Sequence, residues 1–144
     1  MSQYMSFFVK PEDKDVFVEI GTYCRSSSIY EALRPYVPFE NISELTKTTF
    51  EAGISNLEDS KKGYKTAIKR LKNIIKGFYN NPNIEAAQEV IFSATQDLKE
   101  YKEELKTIKR AIHELTFIYD IGTIEDNKIY VGIEVGNPTI EDII

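Results

Sequence analysis

Eight consecutive residues, Gly21, Thr22, Tyr23, Cys24, Arg25, Ser26, Ser27 and Ser28, gather the side chains best suited to holding an anion. An arginine fork and two or three serine hydroxyls can take a phosphate or carboxylate, and the unpaired amides of a helix start add donors. Tyr23 or Tyr30 can stack on a base. Arg110 supplies a second guanidinium that could share a pocket with Arg25. Farther off, Phe78, Tyr79, Asn80 and Asn81 join aromatic rings to amides, the residue types that stack on and read nucleobases. Each group also has a plainer reading: a capped helix with a surface arginine, and a hydrophobic plug with a turn.

Groups for acid–base, metal or covalent chemistry are sparse. His113 is the single histidine, and its place in a helical pattern suits an ordinary surface or seam-flanking role. The sequence has no Cys/His ligand spacing for zinc, no glycine-rich phosphate loop and no Gly-x-Ser-x-Gly elbow. Glu103 and Glu104 are neighbours on a helix and cannot face each other. The expectation is therefore a protein that is not an enzyme and uses no cofactor or metal.

The net charge of −5 argues against a general DNA-binding protein, since such proteins carry surplus lysine and arginine. Lys61, Lys62, Lys65, Lys69, Arg70, Lys72 and Lys76 nevertheless cluster. Facing helices would set Lys76, Lys72 and Lys65 near Glu85, Glu89 and Asp97, so that the charges answer one another. Lys61 then sits opposite Tyr101 with its ammonium in water.

Two apolar spines dictate the elements. Phe50, Ile54, Leu57, Tyr64, Ile68, Leu71, Ile75 and Phe78 form one. Ile84, Ala87, Ile91, Ala94, Leu98, Tyr101, Leu105, Ile108, Ile112, Leu115 and Tyr119 form the other. Steps of three and four sustained over several heptads describe a coiled-coil seam. Only residues 79–83 separate the spines, so the helices fold back as an antiparallel hairpin. Asn41 or Ser43 can cap the first helix, and Asn81 with Pro82 the second.

Outside the hairpin the period changes. Ser6 to Lys10 and Asp15 to Gly21, joined by Pro11, Glu12, Asp13 and Lys14, read as a β-hairpin, and Ser28 with Glu31 reads as the capping box of a short helix. Ile118 to Ile124 and the alternation of Ile129, Val131, Ile133 and Val135 read as a second hairpin. The expected class is α+β: a long antiparallel helical hairpin, a coiled-coil-like arm, on a small antiparallel sheet formed by N- and C-terminal β-hairpins, with one short helix. One domain over residues 1–144 is expected, with the sheet and short helix in 1–40 and 118–144 and the helical hairpin in 43–119.

A two-helix arm leaves part of its seam wet, so a homodimer or a higher even oligomer is the predicted remedy. A pocket composed of two chains would follow. Cys24 is the lone cysteine and no apolar run reaches the roughly twenty residues of a membrane span. A cytoplasmic protein without membrane contact is expected, in the host cell cytoplasm if phage-encoded.

The strand start, the long helical hairpin, the size and the lack of a catalytic constellation together resemble the phage Thoeris anti-defence proteins of the first type. The resemblance implies a small oligomer that sequesters cyclic ADP-ribose-type or cyclic oligonucleotide immune signals without breaking them. Pockets of that family use aromatic stacking, an asparagine and arginines, types that Phe78, Tyr79, Asn81, Arg25 and Arg110 supply here. The competing expectation is a scaffold protein that docks its arm on a larger assembly through Val90, Phe92 and Phe117.

Overall fold

The computed structural model describes residues 4–37, 42–80, 84–124 and 127–133. The chain is α+β. It runs β1 (Tyr4–Lys10), β2 (Val18–Cys24), α1 (Ser28–Leu33), β3 (Ser43–Glu44), α2 (Lys47–Tyr79), α3 (Ile84–Ile124) and β4 (Lys128–Ile133). It divides into two compact units, residues 1–57 with 111–144 and residues 58–110.

The first unit holds a four-stranded antiparallel sheet of order β2-β1-β4-β3. Register decides which side chains share a face. Phe7 lies opposite Val131 and Val9 opposite Ile129. Ile129 also sits where a side chain on Gly122 of α3 would be, 2.8 Å from that Cβ position. That face is therefore the helix side of the sheet, and it carries Met5, Phe7 and Val131, all fully buried. On the other face Phe8 and Tyr130 form a smaller core with Ile42, closed by Phe17. Helices α1, α2 and α3 converge at Gly53, whose missing side chain leaves room for Leu33 and Leu115.

Four expectations need correction here. Ile118 to Ile124 is the last part of α3, so these residues do not form the first strand of the expected hairpin. The apolar residues there continue the spine of α3, with Leu115 and Ile118 buried, and β4 instead adds directly to β1. The strand expected at Asp15–Gly21 lies at Val18–Cys24, with an irregularity opposite Phe7 and Phe8, and Val16 and Val18 are exposed. Helix α1 is capped by Ser27, whose Oγ accepts from the Tyr30 amide, rather than by Ser28. Helix α2 starts at Lys47 with the Thr46 hydroxyl accepting from the Thr49 amide, while Ser43 belongs to β3. Asn41, Asn81, Pro82 and Val135 lie outside the described residues.

The second unit consists of the facing parts of α2 and α3. The spine reading holds position by position: Leu71, Ile75, Phe78, Ile91, Leu98, Tyr101 and Leu105 are half-buried, and Ile68, Ala87, Ala94 and Ile108 are buried. The register is one turn from the expected one. Tyr64, not Lys61, faces Tyr101, with ring centroids 5.7 Å apart and edge to face. Lys61 is half-buried and its ammonium reaches Glu58 at 3.8 Å.

Candidate functional site

Strand β2 runs straight into the start of α1, and this junction places Tyr23, Arg25, Ser26, Ser27 and Ser28 in one stretch of the first unit. The turn is closed by the Ser27 amide donating to the Cys24 carbonyl at 3.0 Å. Arg25 lies over the Tyr30 ring, its guanidinium carbon 5.4 Å from the centroid, and donates to the Tyr30 hydroxyl at 3.2 Å. A cation held against an aromatic face has a fixed plane, which is what directional recognition of a phosphate or carboxylate requires. Ser26 is exposed and Ser28 half-buried beside it.

Neither tyrosine offers the open face expected of it. Tyr30 is buried, at 7% exposure, beneath Arg25. Tyr23 is half-buried, edge to face with Phe7 at 5.6 Å, and its hydroxyl donates to the Glu114 carboxylate of α3. Burial, the charge of Glu114 and that hydrogen bond push the Tyr23 phenol up to about 12. Thr22 ties the same strand down, bonding to Glu19 and to Ser6.

The remaining expected site residues lie elsewhere. Phe78 is half-buried and Tyr79, at 72% exposure, ends α2. Both belong to the second unit, as does Arg110, which is exposed. Asn81 is outside the described residues. Arg25 and Arg110 thus belong to different units.

A concavity that the sequence did not announce lies in the first unit. It encloses about 300 Å³ between β3, the start of α2, the end of α3 and β4, and its walls include Leu45, Thr46, Lys47, Phe50, Tyr119 and Lys128. Phe50 and Tyr119 form its aromatic floor, 5.4 Å apart and edge to face. No motif marks it because its walls come from four separated segments, each apolar or basic residue of which has an ordinary explanation by itself. Among the described residues no group of three or more His, Cys, Asp or Glu is placed to hold a metal ion, and no helix is long and apolar enough to cross a membrane.

No protein-family model, curated protein or solved structure matches this chain.

Proposed function

We propose that the protein is a non-enzymatic, homo-oligomeric binding protein that sequesters a small phosphorylated nucleotide signal, of the cyclic ADP-ribose or cyclic oligonucleotide kind, as a phage inhibitor of bacterial immunity. The observation that carries the reading is the Arg25–Tyr30 clasp at the Ser27-capped start of α1, which combines an oriented cation with hydroxyls at a strand-to-helix junction. Tight retention without turnover needs only such preorganised donors and shelter from water.

Oligomerisation is supported by the second unit, where most of the seam of a lone chain stays half-wet. On one side of that seam Ala67, Ile74 and Val90 are half-buried and flanked by exposed Asp97 and Glu104. A second copy laid along this side would cover the apolar row and leave the charges at its rim.

Isothermal titration of the full chain with cyclic ADP-ribose isomers and cyclic dinucleotides should show saturable binding with the nucleotide recovered intact. Arg25→Ala should abolish it, and Arg110→Ala should weaken it. Wild-type affinity in both variants, or a nucleotide panel that gives no heat, contradicts the reading. The second reading, an arm that docks on a larger assembly, is favoured by the 68% exposure of Phe92 and 61% exposure of Phe117. A silent nucleotide panel together with a stable protein partner lost in Phe117→Ala would select it.

A further inference from the structure

Charge is divided unevenly along this chain. Residues 58–110 contain twelve lysines and arginines against eight acidic residues, whereas the rest of the chain contains six against fifteen. From Ser60 to Ile84 there are seven basic residues and no acidic one. A protein of net charge −5 thus carries a basic segment, and its placement on two facing helices decides what that segment can do.

With 3.6 residues per turn, Lys62, Lys65, Lys69, Lys72 and Lys76 form one row on α2, displaced about a quarter-turn from the spine. On α3, Lys99, Lys102, Lys106 and Lys109 form a row displaced from its spine by a similar angle in the same rotational sense. For antiparallel helices facing each other, as the Tyr64–Tyr101 contact sets them, equal displacement in one sense brings both rows to the same side of the pair. Nine exposed lysines therefore share one flank of the second unit. The α2 row alone extends about 21 Å.

This flank is not neutralised from within. Lys106 meets Glu103 at 3.7 Å, and Glu58 at the foot of the flank is engaged by Lys61. Among the described residues no carboxylate lies within 4.0 Å of the other eight lysines. The anticipated pairing of Lys65, Lys72 and Lys76 with Glu85, Glu89 and Asp97 does not occur, because those acids lie on the far side of α3. In the register set by Tyr64 and Tyr101, Lys62 and Lys65 stand level with Lys99 and Lys102 on the same flank, a grouping of like charge that a bound polyanion would relieve.

Two large rings stand on the same flank, beyond the lysines. Tyr79 continues the lysine side of α2 and is 72% exposed, and Phe92 continues the lysine row of α3 and is 68% exposed. Aromatic faces next to a lysine track are the two components of single-strand recognition, rings for the bases and cations for the phosphates. A duplex hides its base faces, and a membrane surface asks for a continuous apolar strip where this flank has two isolated rings. Lysine, a point charge without the arginine fork, follows a backbone without reading sequence.

From this juxtaposition we infer that the lysine flank of the helical hairpin binds single-stranded nucleic acid, without sequence preference, through its phosphates and through bases stacked on Phe92 and Tyr79. The flank is distinct from the Arg25 junction and does not depend on it.

Fluorescence anisotropy of the full chain with a labelled thymidine or uridine oligonucleotide of about twenty nucleotides tests the inference at low salt, about 50 mM. Saturable binding is expected, with log affinity falling against log salt at a slope of about −3 to −5 for some five to seven phosphates. The double variant Lys65→Glu/Lys72→Glu should weaken binding about tenfold or more with its helical circular dichroism unchanged, and Phe92→Ala about fivefold or more. Lys14→Glu, in the other unit, should leave it as it is. Absence of saturable binding, or equal binding by the charge-reversed variant, overturns the inference. So does capture by phosphatidylserine vesicles with no response to oligonucleotide. A fall in solution mass on charge reversal would assign the flank to a second copy and overturn it as well.

Discussion

The two units solve the burial problem in opposite ways. In the first, Met5, Phe7, Leu33, Leu115 and Val131 lose all contact with water, and sheet, short helix and long helices together close a core. In the second, two helices meet along a single line, and among the described residues only Ile68, Ala87, Ala94 and Ile108 are buried. The same apolar residue types thus have different physical status: in the first unit they hold the fold, and in the second they hold half a contact. Segregation of charge follows the same division, acid collecting around the self-sufficient core and lysine along the exposed hairpin. The half-wet seam and the unpaired lysines are the surfaces on which the proposed second copy and polyanion would bind.

Truncation in the core should give the largest effect. Leu115→Ala empties a fully buried site where α1, α2 and α3 converge and is expected to cost about 4 kcal/mol in denaturant unfolding. A loss under about 1 kcal/mol would mean that this site is not the packed centre described. Two glycines sharpen the contrast further. At Gly53 an added Cβ would stand 2.8 Å from the buried Leu33 side chain, so Gly53→Val should cost about 2 kcal/mol. At Gly63, in the second unit, nothing lies within 4 Å, and Gly63→Ala should stabilise by up to about 1 kcal/mol through helix propensity alone. Equal effects at the two positions would erase the distinction between a closed core and an open seam.

The spines were legible because a three-four period admits few alternatives: every spine residue whose burial is described is buried or half-buried. The end of α3 was not, since Ile118, Tyr119, Ile121 and Ile124 suit a strand by composition and a helix by their continuation of the spine, and packing of Gly122 against Ile129 favours the helix. Three successive serines made the α1 cap ambiguous by one residue, and the two-residue β3 has no pattern at all. For the candidate site, the sequence located the Arg25 junction. It could not show that Tyr30 lies beneath Arg25 or that Tyr23 is held by Glu114, because both depend on which side chains the fold turns inward.

A further effect is confined to alkaline pH. The Tyr23 phenol is raised from its ordinary value near 10 to about 12, so the folded state holds its proton more tightly than the unfolded chain. Its contribution to stability is fully present below pH 10 and is lost as the pH rises from there through about 12. Burial and the charge of Glu44 raise the Tyr130 phenol as well, so ultraviolet titration should show more than one late-ionising tyrosine, of which the Tyr23 component disappears in Tyr23→Phe, and that variant should unfold with a weaker pH dependence across the same range. A phenol titrating near 10 at this position would refute the Glu114 contact.

The contrast between the units comes down to whether the half-wet seam finds cover in a second copy. Static light scattering of the full chain measures this directly. A mass of twice 16.6 kDa, or a higher even multiple, is the predicted result, and a mass of 16.6 kDa across the accessible concentration range would contradict it.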